Sequence, residues 1–237
     1  MAEQGILYLI PVPISGAPAT QSIPDYNFSI VRGLKKFITE NNKEARKFLK
    51  QFGYPKLEDA EMLELNVHSR EGDLSPFLKF IQGSEPVGLM SDAGCPGIAD
   101  PGAEVIQLAH RHGIHVVPLV GPSSIVLSIM ASGFNGQNFA FIGYLPIDKP
   151  IRQKRLKELE HLAVKQRQAQ FFIETPYRNE ALFEHLLQSL SPATLLFVGR
   201  DVLGDKQLLQ SKSIREWKLG KAPELQKLPT VFGIFTS

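Results

Sequence analysis

The residues best suited to ligand chemistry lie in a short loop rich in glycine, proline and aspartate. The loop covers residues 91–99, with the sequence Ser-Asp-Ala-Gly-Cys-Pro-Gly-Ile-Ala, and Asp100-Pro101 follows it. Glycines let a backbone approach a ligand closely, and the Asp92 carboxylate can accept hydrogen bonds from an amine or a hydroxyl. A tight strand-to-helix connection also uses such residues, but their number in so short a segment favours a ligand-binding loop.

The elements that must position this loop alternate between strand-like and helical patterns, which is typical of a parallel sheet covered by helices. The predicted strands are Ile6–Ile10, Val87–Met90, 115–119, 139–143, 170–173, 194–198 and Thr230–Phe235. Helical regions are predicted after Arg178, around Leu156, Leu159 and Leu162, and around Phe37, Phe48 and Leu49. The loop at residues 91–99 therefore follows the carboxyl end of a buried strand, where open α/β sheets bind ligands.

Helix starts and a domain boundary are predicted from turn residues. Asp100-Pro101 and Thr175-Pro176 each place a capping side chain before a proline suited to the first helical position. The turn at residues 120–123 follows the strand at 115–119 and gives the best boundary. The sequence therefore predicts two αβ domains, residues 1–118 and 119–237.

Composition is that of a globular protein, with 237 residues, 43% hydrophobic and 21% charged. A formal net charge of +2 does not by itself indicate nucleic acid binding. Cys95 is the only cysteine, so no intrachain disulfide is possible. Pro11 and Pro13 break the N-terminal apolar run, which predicts a strand rather than a signal peptide. No stretch approaches the roughly 18 apolar residues of a membrane span, and a cytoplasmic protein is expected.

Several common sites are not predicted. No GxGxxG follows a predicted strand, and neither GxxxxGK[ST] nor GxSxG occurs. His110, His112 and His115 are close in sequence, but they fall at a helix end and a strand start, so a metal site is not expected. Cys95 lies among turn residues without an identifiable histidine partner, which favours a structural cysteine over a nucleophile.

Residues 91–96 and 98–102 closely resemble the SDAGTPxIxDPG signature of the tetrapyrrole methylase superfamily. More narrowly, they resemble its branch that methylates a ribose 2′-oxygen in small-subunit ribosomal RNA. Similarity continues in order along the chain, at the opening strand and proline loop of residues 7–13, the VPxPGPSA-like linker at 117–124, the GFLP-like segment at 143–146 and the ESPHR-like segment at 174–178.

This resemblance implies two αβα domains with mainly parallel sheets, S-adenosylmethionine in the cleft between them, and a homodimer. The implied cofactor-binding residues are Pro11, Pro13, Asp92, Ala93, Gly94, Ser123, Ser124, Tyr144, Leu145 and Thr175. Amides near Ser123 would hold the methionine carboxylate at a helix start. Methyl transfer from a sulfonium requires mainly orientation of donor and acceptor and exclusion of water.

The acceptor side departs from the family pattern. Where the ribosomal branch carries AEDTR, this chain has Glu40-Asn41-Asn42-Lys43, and a lysine cannot reproduce a bidentate arginine. The proline loop has Ser-Gly-Ala at 15–17, residues 66–69 are a weak match to a histidine-rich segment, and Arg200-Asp201 replaces Arg-Glu. The donor is therefore predicted more firmly than the acceptor.

Candidate catalytic residues are Glu40, Lys43, Glu174 and Arg178, for acid–base work or for holding a phosphate. Each also has a structural interpretation, since Glu174 precedes a predicted helix cap and Arg178 lies in the first turn of the predicted helix.

Charge distribution keeps an RNA partner, such as a ribosomal subunit, among the predictions. Residues 32–50 and 149–167 each contain seven Lys or Arg and two Glu, although solvated helix faces would look the same. The leading hypothesis is a methyltransferase acting on ribose oxygen in ribosomal RNA. A methyltransferase acting on a tetrapyrrole or another small molecule, and a binding protein that has lost catalysis, remain the alternatives.

Overall fold

The computed structural model describes residues 5–65 and 73–236. The chain divides into two compact units, Met1–Ser123 and Ser124–Ser237. Each unit has its own sheet and its own buried clusters of apolar side chains. Within the described ranges no helix combines the length and apolar character needed to cross a membrane.

The first unit is built on a five-stranded, all-parallel sheet with the order β3-β2-β4-β1-β5. Its strands are β1 (Ile6–Ile10), β2 (Lys36–Thr39), β3 (Glu61–Glu64), β4 (Val87–Met90) and β5 (His115–Pro118). Its helices are α1 (Asp25–Gly33), α2 (Asn42–Gln51), α3 (Ser75–Ile81) and α4 (Gly102–Arg111). Because all strands run in one direction, the loops that follow them meet at one edge of the sheet.

Helices cover both faces of this sheet. Phe28 of α1 and Leu49 of α2 join a cluster with Ile10 on one face. Phe77 of α3 and Val105 of α4 join a second cluster on the other face. Alternating residues of the central strands feed the two clusters, which is why these strands are apolar along their length. The unit is therefore a three-layer αβα structure.

The second unit has a mixed five-stranded sheet with the order β6-β7-β10-β8-β9. Its strands are β6 (Phe139–Tyr144), β7 (Ala169–Ile173), β8 (Leu195–Arg200), β9 (Leu208–Ser213) and β10 (Thr230–Phe235). Its helices are α5 (Ser124–Ser132), α6 (Lys149–Gln166), α7 (Asn179–Ser189) and α8 (Ile214–Leu219). Leucines of α6 and α7 pack on one face, and Ile129 of α5 packs on the other.

The α/β fold class predicted from the sequence is confirmed, and the second sheet differs from the expectation of mainly parallel sheets. Only β6 and β7 pair in parallel, whereas β10 is antiparallel to β7 and β8, and β9 is antiparallel to β8. Residues 201–207 link β8 to β9 without a helix, and a connection that short permits only an antiparallel neighbour.

Three local predictions were wrong. Phe37 lies in strand β2 rather than in a helix, because its segment pairs with both β3 and β4. Helix α4 begins at Gly102 with Pro101 rather than Asp100 as its N-cap, and the Asp100 carboxylate accepts from the N–H groups of Gly97 and Gly102. Helix α7 begins at Asn179, three residues beyond Pro176, because the Arg178 N–H closes a turn onto the Thr175 carbonyl.

Candidate functional site

The loops after β1 and β4 are joined at the carboxyl edge of the first sheet. The Val12 N–H donates to the Gly94 carbonyl at 2.9 Å, and the Gly94 N–H donates back to the Val12 carbonyl at 3.2 Å. Gly94 has a φ of +74°, a conformation that a residue with a side chain rarely adopts. Pro11 and Pro13 flank Val12 and are buried. The two loops therefore form one connected structure.

The loop at residues 91–102 is held by its own side chains. The Ser91 hydroxyl donates to the Ala93 carbonyl at 3.1 Å. The Asp100 carboxylate accepts hydrogen bonds from the Gly97 N–H at 2.9 Å and from the Gly102 N–H at 2.6 Å. Asp100 thus closes the loop onto the start of α4, and its own charge is used internally. Asp92, in contrast, is exposed.

The Asp92 carboxyl lies in a negatively charged surrounding. Its pKa is raised from the ordinary value by desolvation, and further by the negative charges of Glu44 and Glu64. A nearby cation would stabilise the ionised Asp92 carboxylate, because it would offset both the desolvation and the repulsion from Glu44 and Glu64. The arrangement is therefore suited to a positively charged group of a ligand.

Two candidate catalytic residues, Glu40 and Lys43, lie beside this loop. Glu40 follows β2, and its carboxylate accepts a hydrogen bond from the Asp92 N–H at 3.3 Å. The Asn41 side chain caps α2 by accepting from the Lys43 N–H at 2.9 Å. The Lys43 side chain is exposed. Glu40 thus positions the Asp92 backbone, and Lys43 is available to an incoming ligand.

The loop after β5 completes the same edge. Gly121 lies so close to Pro11 that a β-carbon on it would come within 2.2 Å of the proline Cβ. The Cys95 thiol donates to the Pro122 carbonyl at 3.3 Å, and burial raises the pKa of this thiol. Cys95 is therefore a structural link between two loops, as the sequence indicated, and not an activated nucleophile.

The second unit places its candidate residues at the carboxyl edge of β6 and β7. Tyr144, the last residue of β6, is exposed and Leu145 is buried. The Glu174 carboxylate is buried and accepts hydrogen bonds from the Thr175 N–H and from an Arg178 terminal nitrogen, both at 2.6 Å. The Glu174 contacts and the nearby Tyr144 raise the pKa of Arg178, which keeps the guanidinium charged.

Arg178 keeps donors for another group. Its side chain is 42% exposed even though one nitrogen contacts Glu174. Its Nε is buried and has no hydrogen-bond partner within the part of the chain that the structure describes. The ion pair fixes the direction of the guanidinium, and the exposed remainder can bind an anionic or carbonyl oxygen.

Arg200 and Asp201 have structural roles. The Arg200 guanidinium donates to the carbonyls of Lys206 and Glu224, each at 2.8 Å. Asp201 accepts from the Lys206 N–H at 2.9 Å. These contacts hold the β8–β9 connection. The segment 66–69, which resembled a histidine-rich motif, lies outside the described residues.

The structure brings the predicted residues together in two groups, one in each unit. Pro11, Pro13, Glu40, Lys43, Asp92, Ala93 and Gly94 belong to the edge of the first sheet, and Tyr144, Leu145, Glu174, Thr175 and Arg178 to the edge of the second. Ser123 and Ser124 lie where the chain passes from one unit to the other. Sequence reasoning missed Glu44 and Glu64, although Glu64 ends a parallel strand at the same edge.

The fold is shared with solved methyltransferase structures. Uroporphyrin-III-C-methyltransferase from Thermus thermophilus aligns with a TM-score of 0.55 and 15% identity, covering 98% of this chain and 94% of that one. The methyltransferase CobJ aligns with a TM-score of 0.58 and 16% identity, covering 98% and 93%. These similarities show that the chain has the fold of the tetrapyrrole methylases.

The chain is also similar in sequence to curated methyltransferases. Ribosomal RNA small subunit methyltransferase I of Bacillus subtilis (strain 168) is 29% identical over 217 residues, 90% of this chain and 65% of that protein. The protein of the same name from Escherichia coli O157:H7 is 26% identical over 201 residues, 84% of this chain and 66% of that protein. The chain thus spans less than two thirds of these curated relatives.

No protein-family model matches the chain. Fold and sequence similarity both support the resemblance to the tetrapyrrole methylase superfamily that the motif at residues 91–102 indicates.

Proposed function

We propose that this protein is an S-adenosylmethionine-dependent methyltransferase acting on RNA, with a ribose 2′-oxygen of ribosomal RNA as the acceptor. The observation that carries the proposal is the loop at residues 91–102, whose sequence closely resembles the superfamily signature and whose exposed Asp92 suits a cationic ligand. The relatives named ribosomal RNA small subunit methyltransferase I support the choice of RNA.

The residues present fit S-adenosylmethionine, which carries a positively charged sulfonium and an ammonium group. Asp92 would attract that positive charge, and the Val12–Gly94 bridge would hold the neighbouring backbone in place. Amides at residues 123–124, where α5 begins, would hold the carboxylate of the same ligand. When bound, the cofactor supplies a methyl group for in-line transfer. The other residues proposed to contact it are Pro11, Pro13, Ala93, Tyr144, Leu145 and Thr175.

The chain's own residues would orient the acceptor and exclude water. Lys43 and Arg178 are the exposed cations of the two candidate groups and would hold phosphates of the RNA. Glu174 would orient Arg178 through their 2.6 Å contact. Glu40 would act by fixing the Asp92 backbone rather than by proton transfer.

A binding protein without catalysis is the second candidate function. The observation favouring it is that Asn41 and Asn42, which replace acidic and hydroxyl residues of the family pattern, are used to build the start of α2. Asn41 caps the helix, and Asn42 accepts from the Thr39 hydroxyl at 2.7 Å. Asn41 and Asn42 therefore have structural roles here.

Isothermal titration with S-adenosylmethionine and S-adenosylhomocysteine tests the donor. We expect saturable one-site binding of both, followed by labelled-methyl transfer to undermodified small ribosomal subunits. Binding without transfer to any ribosomal substrate would favour the second candidate. Failure of the folded protein to bind either compound, with and without RNA present, would refute the proposal.

A homodimer and a cytoplasmic location are part of the same proposal. Both rest on the family resemblance of the motifs at residues 91–102, 117–124 and 143–146.

A further inference from the structure

One face of helix α6 carries a row of basic side chains. Lys154, Lys157, His161 and Lys165 follow one another at intervals of three, four and four residues, which places them on the same side of an α-helix. All four are exposed. We name these four residues the α6 basic stripe.

The acidic residues of the same helix do not neutralise the stripe. Glu158 pairs with Arg155, at 3.1 Å. Glu160 accepts hydrogen bonds from the Ser191 N–H at 2.8 Å and from the Thr194 hydroxyl. Across residues 5–65 and 73–236, no ion pair includes a lysine of the stripe. Its positive charge is therefore directed to solvent.

A recess of about 460 Å³ opens beside the stripe. Lys157 and His161 form one wall, and Ala193 and Thr236 belong to the other. The Thr236 hydroxyl is buried and has no hydrogen-bond partner among the described residues. A recess of this size can admit one flat heterocycle, with a hydroxyl for a polar edge and the Lys157 ammonium beside it. The Glu160 carboxylate also lines the recess and is held by Ser191 and Thr194.

The stripe leads away from the candidate site of the second unit. Helix α6 begins at Lys149, five residues after Tyr144, and its 18 residues extend about 27 Å at 1.5 Å per residue. The recess lies near the opposite edge of the sheet, where β8 begins and β10 ends. Cations spread over such a length suit an extended polyanion better than a single phosphate.

We propose that the α6 basic stripe binds the sugar–phosphate backbone of the RNA substrate and that one base enters the adjoining recess. This inference rests on the proposed function for the nature of the polyanion. It adds a contact surface at the edge of the second sheet opposite to Tyr144 and Thr175.

The salt dependence of RNA binding tests the stripe. The variant Lys154→Gln/Lys157→Gln/Lys165→Gln is compared with a control, Lys206→Gln/Lys218→Gln/Lys221→Gln, which removes the same charge from exposed positions of the same unit. The probe is a labelled single-stranded RNA. We expect the slope of log affinity against log salt to fall by about 2 in the stripe variant, since each lost phosphate contact is worth about 0.7. The control should retain the wild-type slope.

Filling the recess tests base entry separately. Ala193→Trp should weaken RNA binding and leave the salt slope unchanged, because no charge is removed. Equal salt slopes of RNA binding in the stripe variant and the control would refute RNA binding by the α6 basic stripe. Wild-type RNA affinity in Ala193→Trp would refute entry of a base into the recess. Titration of each protein with S-adenosylmethionine distinguishes failure of the proposed function from failure of the stripe proposal. If the wild type does not bind S-adenosylmethionine, the proposed function is refuted. If it binds and the salt slopes of the stripe variant and the control are equal, only RNA binding by the stripe is refuted.

Discussion

Asp92 combines an unfavourable electrostatic position with exposure to solvent. Its exposed carboxylate is near Glu44 and Glu64, and desolvation together with those charges raises its pKa. A raised pKa means that the folded protein binds this proton more tightly than the unfolded chain does. The ionised carboxylate therefore lowers the free energy of unfolding once the pH exceeds both pKa values.

Asp92→Asn should increase stability and weaken cofactor binding. The amide removes the unfavourable charge, so thermal unfolding near pH 7 should occur at a higher temperature than in the wild type. This difference should vanish below about pH 3.8, the ordinary pKa of the group, where the wild-type carboxyl is protonated in both states. Titration should show reduced affinity for S-adenosylmethionine.

The control for this substitution is Asp205→Asn, at an exposed aspartate of the second unit. It should change neither property. Undiminished cofactor affinity in Asp92→Asn would contradict the placement of the binding site.

At the scale of elements, helices α6 and α7 are joined by a buried arginine without a carboxylate partner in the described part of the chain. Arg152 is 6% exposed, and its Nε donates to His185 Nδ1 at 2.7 Å. Nδ1 must therefore accept, which places the imidazole proton on Nε2, facing Gln153 Oε1 at 3.0 Å. Desolvation lowers the pKa of His185, and the positive charges of Arg152 and Lys149 lower it further.

This contact predicts a loss of stability in mild acid. As the pH falls through about 6.5, the unfolded chain takes up a proton at His185 and the folded protein resists it, so the free energy of unfolding decreases. The decrease ends below the folded pKa. His185→Asn, which keeps an acceptor for Arg152, should remove this component from denaturant unfolding measured between about pH 8 and pH 5.

His161→Asn is the matched control, because His161 is an exposed histidine of α6, the helix that also carries Arg152. It should keep the wild-type pH dependence. An unchanged pH profile in His185→Asn would show that protonation of His185 does not act on folding.

The sequence predicts these elements unevenly, for physical reasons. Strand β4 and residues 231–235 of β10 are predictable because a strand covered on both faces is apolar along nearly its whole length. Phe37 was assigned to a helix because a four-residue strand carries too little pattern to outweigh its neighbours. Thr175-Pro176 has the composition of a helix start, yet the Glu174 side chain occupies the Thr175 N–H.

The candidate site was predictable where a single loop carries it and less so where several elements meet. The motif at residues 91–102 could be read directly from the sequence. The effect of Glu44 and Glu64 on Asp92 depends on α2 and β3 meeting β4 at one edge, which requires the strand order β3-β2-β4.

At the scale of the whole molecule, stability resides in two separate sets of cores. Each buried cluster draws its residues from one unit only. Leu186 of α7 is fully buried in the second unit. Leu186→Ala should lower stability by about 2–5 kcal/mol, and amide exchange should accelerate in β7 and β10 while β1 and β4 keep their protection.

A leucine control is available in the same unit. Leu219, at the end of α8, is 84% exposed, so Leu219→Ala should leave exchange nearly unchanged. Equal loss of protection in β1 and β7 on Leu186→Ala would mean that the units unfold together.

The backbone bridge between Val12 and Gly94 affects the entropy cost of binding a ligand at these loops. Two reciprocal backbone hydrogen bonds and adjacent prolines fix both loops through contacts of the chain itself. A ligand that binds there loses little affinity to ordering of the protein, since that conformational entropy has already been lost in folding. Association with these loops should therefore carry a small cost in conformational entropy, with little change in backbone dynamics at Val12 and Gly94.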